Sequence, residues 1–237
     1  MARYPDVSLS VVIPAYNEEG NIEQTIPRVV ETLREQVGRF EVILIDDCSK
    51  DRTFELAQAL GARFPELRVM KNEVNLRQGG TLERGFALAT MDIVTHNAMD
   101  YPFHYEDLPV VLDELRTADV VVCGRKQYPG TTAPRRFVSW TNRAIIRLLF
   151  GTRFVDYNFV QFYKRDVIQG MRTFSKATSF ITPEKIIRAH VSGRRVVEIP
   201  VDYHQRFIGK PSSANWKNIR QALGDMARLR LELWRAA

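Results

Sequence analysis

The sequence predicts an α/β fold with a mostly parallel sheet, and three observations lead to this prediction. Short apolar runs alternate with segments of helical periodicity through the first half of the chain. The runs, such as LSVVI at 9–13 and FEVILI at 40–45, are almost wholly apolar, which is typical of strands buried on both faces. Polar residues follow directly after the runs. This rhythm predicts a Rossmann-like sheet with helices on both faces.

The predicted elements of the first half follow one another without a break. Five strands are expected, at 9–13, 40–45, 67–70, 93–96 and 118–123. Between them, apolar residues have helical spacing at 23–37, 51–64, 80–89 and 106–115. Asp51 and Thr53 suit the capped first turn of the second helix.

The alternation ends after Cys123. A loop is predicted at 126–134 and a basic amphipathic helix at 135–150. Strands at 159–163 and 196–201 flank a helix at 183–190, and a long helix covers 214–234. Because no repeat or low-complexity linker is visible, we expect one domain, 1–211. A C-terminal amphipathic helix, 212–237, would pack on it or on a membrane surface.

Composition limits the classes of function. The 237 residues carry a formal net charge of +6, which suits a phosphorylated substrate or an anionic lipid. Nucleic acid is not an expected partner, because no RNA- or DNA-binding module is recognisable. Cys48 and Cys123 form no disulfide framework or zinc pattern. With no signal peptide and no long apolar span, we expect a cytoplasmic protein, soluble or peripheral on the inner face of the membrane.

Polar clusters follow the first four predicted strands, at 14–19, 46–51, 75–80 and 97–100. Because ligands bind outside the carboxyl ends of strands in such sheets, these clusters predict one site along one edge. The Gly79-Gly80 pair opening a helix is expected to turn backbone N–H groups toward an anion. No G-x-G-x-x-G or P-loop pattern follows a strand, which disfavours dinucleotide and P-loop chemistry.

Four segments together resemble family 2 inverting glycosyltransferases of the GT-A fold. They are SVVIPAYNEEGNI, EVILIDDCSKDRT, NLRQGGTLERGFALA and GRRVVEIPVDYHQRFIGK, and the resemblance runs from about residue 9 to 210. The chain is most similar to the polyprenyl- or dolichyl-phosphate sugar transferases. The resemblance implies transfer of a sugar from a nucleotide sugar to a polyprenyl-phosphate lipid. The implied donor contacts are Pro14, Tyr16, Glu18, Ile45 and Asp47.

The resemblance also implies a divalent ion, Mg²⁺ or Mn²⁺, held by an Asp-Ala-Asp motif after the fourth strand. This chain has Asn97-Ala98-Met99 there, with Asp100 one position late. An amide oxygen is a weaker ligand than a carboxylate, and a thioether suits hard cations poorly. Because Asn97, Ala98 and Met99 occupy the position of this motif, they are the expected contacts to the donor there. Any metal would be held by Asp100 and Asn97, loosely or not at all.

Three basic residues correspond to phosphate-facing positions and are the expected catalytic groups. Arg125 and Arg206 match family arginines, and Lys210 replaces a lysine expected where Ser212 falls. An acceptor phosphate monoester has a second pKa of about 6, so its oxyanion can attack the anomeric carbon without a strong base. The cationic groups would then stabilise the departing diphosphate.

Other interpretations stay open. The altered motif fits a catalytically impaired relative that only binds a nucleotide sugar. A transferase for a soluble hydroxyl acceptor would need a general base, for which Asp156 and Asp100 are candidates. Basic, aromatic-rich helical stretches at 135–153 and from Trp216 to Met226 suit either an anionic membrane surface or packing within the protein. The oligomeric state is not predicted.

Overall fold

The structure is a computed structural model that describes residues 2–100, 103–126, 133–175, 179–202 and 216–236. The strands are β1 (Tyr4–Ala15), β2 (Val37–Asp46), β3 (Leu67–Lys71), β4 (Ile93–His96), β5 (Val120–Arg125), β6 (Gln161–Lys164) and β7 (Val196–Val201). The helices are α1 (Ile22–Gln36), α2 (Thr53–Arg63), α3 (Arg77–Leu88), α4 (Leu108–Leu115), α5 (Ala133–Phe150), α6 (Arg165–Gln169), α7 (Ile181–Val191) and α8 (Trp216–Ala236). A single 3-10 turn, Tyr105–Asp107, precedes α4.

The strands form one seven-stranded sheet in the order β3-β2-β1-β4-β6-β5-β7. Every pairing is parallel except those of β6, which runs antiparallel to β4 and β5. The predicted, mostly parallel sheet is therefore confirmed. The carboxyl ends of the six parallel strands and the start of β6 lie at one edge, which we call the rim.

Helices cover both faces of the sheet, as the apolar strands predict. Alternate residues of β1 point to opposite faces. Leu9, Val11 and Ile13 are buried with α1, α2 and α4. Val12 is buried on the other face with α3, α5, α6, α7 and α8. Among the residues described, no helix has the length and apolarity needed to cross a bilayer.

Several boundaries differ from the predicted ones. β1 and β2 begin earlier, at Tyr4 and Val37, because these two residues pair in the sheet. Gly38 permits this close approach, since a Cβ there would lie 1.9 Å from the Pro5 carbonyl oxygen. Helix α5 begins before Pro134, because proline is tolerated in a first turn. The short helix α6 was not predicted.

The glycine pair before the third helix does not have the expected position. Helix α3 begins at Arg77, so Gly79 and Gly80 lie within its first turns rather than ahead of it. A Cβ on Gly79 would lie 2.5 Å from Cδ1 of Ile181 on α7. Gly79 therefore permits close packing of α3 on α7, which gives it a structural reason independent of any anion.

Candidate active site

Three loops at the rim are joined by hydrogen bonds. The Asp47 amide donates to the Ala15 carbonyl over 2.8 Å, and the Asn72 amide donates to the Asp46 carbonyl over 2.8 Å. The Glu18 amide donates to the Thr53 hydroxyl of α2 over 2.8 Å. The segments that follow β1, β2 and β3 therefore form one connected surface, as the sequence predicts.

Each of these three loops contains a non-glycine residue with a left-handed backbone. Asn17, Cys48 and Arg77 have φ values of 54°, 65° and 60°. Such conformations cost about 1–3 kcal/mol each and persist where surrounding contacts hold them. Asn17 is held from both sides, because its amide donates to Ser49 Oγ and its Oδ1 accepts from the Lys50 amide, each over 2.9 Å. The rim is thus a tightly specified surface.

Asp47 is buried and organises the loop before α3. Its Oδ1 accepts hydrogen bonds from Asn72 Nδ2 and from the Leu76 amide, both at 2.8 Å. Its carbonyl accepts from Asn75 Nδ2 at 3.0 Å. Asn72 is a site residue that the sequence reasoning missed. Its position directly after the third strand was the available signal.

The other predicted donor contacts differ in exposure. Tyr16 is 44% exposed beyond the end of β1, and Pro14 is half-buried. Glu18 is half-buried, and its Oε2 accepts from Asn21 Nδ2 over 2.6 Å. The Ile45 side chain lies fully in the core, so a donor contact from Ile45 requires its main chain.

The Asn97-Ala98-Met99 segment is turned toward the protein interior. Asn97 Nδ2 donates to the Phe103 carbonyl over 2.8 Å, and its Oδ1 accepts from the Ala98 amide over 3.0 Å. Met99 is buried in the core, and its carbonyl accepts from Thr25 Oγ1 over 2.6 Å. Both ends of the amide are used within the protein, and the thioether packs among apolar side chains.

The described residues do not fit a divalent ion. In the described part of the chain, no group of three or more His, Cys, Asp or Glu side chains could hold a metal. The Asn97 oxygen already accepts one hydrogen bond, and Met99 offers only a buried thioether. The expected ligands Asp100 and Asn97 therefore lack support from the geometry.

Arg125 ends β5 at the rim and is paired with Asp156. Its Nε and Nη2 donate to Asp156 Oδ2 and Oδ1 over 2.6 and 3.1 Å. The guanidinium carbon lies 5.1 Å from the centre of the Phe159 ring. Asp156 is almost fully buried, whereas the Arg125 side chain is 23% exposed. Two hydrogen bonds to the Asp156 carboxylate and the Phe159 ring therefore hold this guanidinium in one orientation.

Arg206 and Lys210 lie outside the described residues. The strand before them, β7, pairs with β5 so that Val201 lies opposite Arg125. Lys126 and Asp202, the next residues of the two strands, form an ion pair at 3.2 Å. The chain therefore leaves β7 at the rim, next to Arg125.

His96 at the end of β4 is buried and uncharged. Burial, and secondarily the nearby Lys185 ammonium, lower the pKa of His96 to about 4. Its ring meets the Phe86 ring edge to face with centroids 6.0 Å apart. A protonated imidazole is not expected here near neutral pH, so His96 supplies no positive charge to the rim.

A cleft of about 580 Å³ adjoins the rim between α3, α7 and α8. Its lining includes Asn75 and Leu76, which bond to Asp47. Glu83 on its wall pairs with the buried Lys185, whose ammonium lies 5.1 Å from the centre of the Phe86 ring. The cleft offers space for substrate next to the loops that hold Asp47.

Comparison with known protein families gives a match over most of the chain. The family model described as glycosyl transferase family 2 matches residues 10–178. Glycosyltransferase AglD of Haloferax volcanii is 30% identical over 209 residues, covering 84% of this chain and 34% of that protein. Undecaprenyl-phosphate mannosyltransferase of Micrococcus luteus is 26% identical, covering 90% of this chain and 98% of that protein.

A third relative is undecaprenyl-phosphate 4-deoxy-4-formamido-L-arabinose transferase of Pseudomonas paraeruginosa. It is 28% identical, and the match covers 89% of this chain and 61% of that protein. The chain thus spans about a third to three fifths of some curated relatives and nearly all of another.

Solved structures support the fold. Glucosyl-3-phosphoglycerate synthase from Mycobacterium tuberculosis, crystallised with Mn²⁺, UDP and phosphoglyceric acid, superposes with a TM-score of 0.68. It is 20% identical, and the match covers 95% of this chain and 79% of that one. TarS residues 1–349 from S. aureus, bound to UDP, give a TM-score of 0.65 at 17% identity and cover 94% and 65% of the two chains.

Proposed function

The chain belongs to glycosyl transferase family 2, as the resemblance predicts, and we propose that it transfers a sugar from a nucleotide sugar to a polyprenyl-phosphate lipid. The observation that carries the proposal is the joining of three strand-end loops at the rim, the same edge of the sheet at which β5 ends with Arg125. Relatives named as undecaprenyl-phosphate sugar transferases support the acceptor class.

The nucleotide is assigned to the part of the rim after β1 and β2. Tyr16 offers an exposed aromatic side chain. Asp47 is close to it in the fold, because the Asp47 amide donates to the carbonyl of Ala15, the residue before Tyr16. An exposed ring can stack on a base, while a carboxylate can accept from a base or a ribose hydroxyl. Pro14, Glu18 and the main chain of Ile45 complete the proposed donor surface.

Transfer proceeds by attack of the acceptor phosphate oxyanion on the anomeric carbon. The bond from that carbon to the diphosphate breaks on the opposite face, so the configuration inverts. Arg125, with Arg206 and Lys210, is proposed to stabilise the negative charge that develops on the leaving diphosphate. Because the Asp156 carboxylate already accepts from the Arg125 guanidinium and the Asn158 amide, we assign it to holding Arg125 rather than to removing a proton.

The proposed mechanism assigns no step to a metal ion. Solved neighbours contain Mn²⁺, but the Asn97 amide and the Met99 thioether are engaged elsewhere in this chain. We therefore propose that Asp100 binds Mg²⁺ or Mn²⁺ only weakly. The fixed guanidinium of Arg125 supplies charge that a metal supplies in many phosphoryl sites.

The altered motif also favours a second candidate, a relative that binds a nucleotide sugar without turning it over. Titration calorimetry with UDP-, GDP- and dTDP-sugars tests binding, and undecaprenyl phosphate with the same donors tests turnover. Binding without product would support the second candidate. Product formation would support the transferase.

The role of the arginines is tested with Arg125→Ala and Arg206→Ala. Each is expected to reduce transfer at least ~100-fold, as expected for removal of a preorganised donor to developing charge. Arg39→Ala is a matched control, since Arg39 is exposed near the start of β2, at the opposite edge of the sheet. Unchanged transfer in folded Arg125→Ala would remove Arg125 from the mechanism.

We further propose that the first turns of α5 contact an anionic membrane surface. Phe137 and Trp140 are 67% and 60% exposed, and their rings stack with centroids 6.2 Å apart. Arg136 beside them is exposed as well. Exposed aromatic and basic residues on one helix suit the headgroup region of a bilayer. The predicted location, on the inner face of the cytoplasmic membrane, stays a prediction.

Only part of the predicted membrane surface supports this role. The later residues Ile146 and Phe150 of α5 are buried, as are Ala222, Met226 and Leu229 of α8. These three residues of α8 therefore pack within the protein, in the cluster that covers one face of the sheet. The side chains of Trp216 and Lys217 lie outside the described residues. The division of the chain at residue 211 stays a prediction.

Flotation with phosphatidylglycerol vesicles tests the membrane contact. The chain is expected to float with these vesicles, and Phe137→Ser/Trp140→Ser is expected to remain at the bottom of the gradient. Val110→Ser is the control, because Val110 is exposed on α4, which covers the opposite face of the sheet. Equal flotation of all three proteins would exclude these rings as the contact.

A further inference from the structure

We propose that Glu198 of β7 is a positioning residue, which holds Asp156 and through it the Arg125 guanidinium at the rim. The inference rests on the role proposed for Arg125 in transfer. Glu198 is hydrogen-bonded directly to the loop that carries Asp156, although the two residues are 42 positions apart in sequence. It lies within the segment GRRVVEIPVDYHQRFIGK, but the sequence analysis gives it no role.

The first link joins β7 to the loop before β6. Glu198 Oε2 accepts from the Val155 amide over 2.7 Å, and its Oε1 accepts from the Asp156 amide over 2.8 Å. A carboxylate that receives two successive backbone amides fixes both the position and the direction of that loop.

Gly124 of β5 leaves room for the Glu198 side chain to reach the Asp156 loop. Gly124 pairs with Pro200, two residues after Glu198, and directly precedes Arg125. A Cβ on Gly124 would lie 2.8 Å from Glu198 Oε1 and 3.3 Å from its Cγ and Cδ. The missing side chain therefore allows the carboxylate to pass beside β5 to the loop.

The second link joins the loop to Arg125. Asp156 uses both of its oxygens to bind Nε and Nη2 of the guanidinium, and Oδ1 also accepts from the Asn158 amide over 3.1 Å. This bidentate geometry sets the plane of the guanidinium, so a shift of the Asp156 backbone moves Arg125. Glu198 thus holds the Asp156 backbone, while the Asp156 side chain holds Arg125.

The local charges are consistent with a carboxylate placed for its hydrogen bonds. Burial raises the pKa of Glu198, and the neighbouring Asp156 carboxylate raises it further. The amides of Val155 and Asp156 lower it, as does the Arg147 guanidinium from α5. Burying a carboxylate near another one is unfavourable, and the two amide bonds offset this cost.

Steady-state transfer with undecaprenyl phosphate and the sugar nucleotide that gives turnover tests the inference. Glu198→Ala is expected to lower kcat ~10- to 100-fold with the donor KM within about twofold, since displacement of a catalytic group by ~1 Å has this effect. Glu198→Gln is expected to keep most of the activity, because the Val155 amide also lies 3.0 Å from Oε1, so one amide oxygen at that position can accept from both amides.

A double-mutant cycle separates positioning from a general structural role. If Glu198 acts through Asp156, Glu198→Ala should change kcat little in the Asp156→Asn background. Glu41→Ala is the control, because Glu41, like the half-buried Glu198, is a carboxylate that accepts from a backbone amide, here that of Thr90, away from the rim. It should lower stability and leave kcat unchanged.

Two readouts keep the test decisive whatever the turnover. In Glu198→Ala, or Glu198→Asp if the alanine variant does not fold, exchange of the Val155 and Asp156 amides should accelerate and the Arg125 Nε–H resonance should shift. Wild-type kcat and an unchanged Arg125 resonance in a folded variant, or additive effects in the cycle, would overturn the inference. Wild-type transfer in Arg125→Ala would instead refute the role proposed for Arg125.

Discussion

His96 is expected to make folding weaker in mild acid. In the unfolded chain a histidine has a pKa of about 6.5, whereas burial and the Lys185 charge lower the pKa of folded His96 to about 4. Between these values the unfolded chain binds more protons, so the free energy of unfolding falls as the pH falls. Each pKa unit is worth about 1.36 kcal/mol. From pH 7 to pH 5, His96 alone should therefore remove about 2 kcal/mol of stability.

Urea unfolding at pH 7 and pH 5 measures this loss. His96→Gln keeps an N–H donor but cannot titrate, so its loss between the two pH values should be smaller than that of the wild type by about 2 kcal/mol. His190→Gln is the control, since it makes the same substitution at an exposed position. An equal loss in wild type and His96→Gln would refute the assignment.

Three further predictions concern the metal, the core and the donor surface. Removal of Mg²⁺ or Mn²⁺ with EDTA should lower sugar transfer less than ~10-fold, because the described residues offer no carboxylate cluster for an ion. Complete loss of transfer would contradict the mechanism that assigns no step to a metal ion. Gly85→Ala should lower the free energy of unfolding in urea by ~1–3 kcal/mol, because the new Cβ would lie 2.2 Å from Val12 Cγ1. Adding Val12→Ala should recover part of that loss. A Gly85→Ala variant more stable than the wild type would contradict the packing. Asp47→Ala should weaken nucleotide binding in calorimetry and lower Tm, because the Asn72 side chain and the Leu76 amide each lose an acceptor. Unchanged nucleotide binding would remove Asp47 from the donor surface.

The sequence by itself determined the layered sheet and the edge at which the polar strand ends meet. Apolar runs such as 9–13 and 40–45 can only be buried on both faces, and that requirement leads to parallel strands covered by helices. Once the strands are parallel, their carboxyl ends share one edge. The placement of Tyr16, Asp47 and Arg125 at the rim follows from local pattern and chain direction alone.

The tertiary structure decided which of these polar groups act together. The antiparallel direction of β6, the Asp156–Arg125 pair and the Glu198 link all join residues far apart in sequence. The tertiary structure also decided that Met99 packs in the core and that α5 buries Ile146 and Phe150 while Phe137 and Trp140 stay exposed. Local periodicity states which residues avoid water, but the partner of a polar group depends on strand register and packing between distant segments. Those contacts exist only in the folded chain.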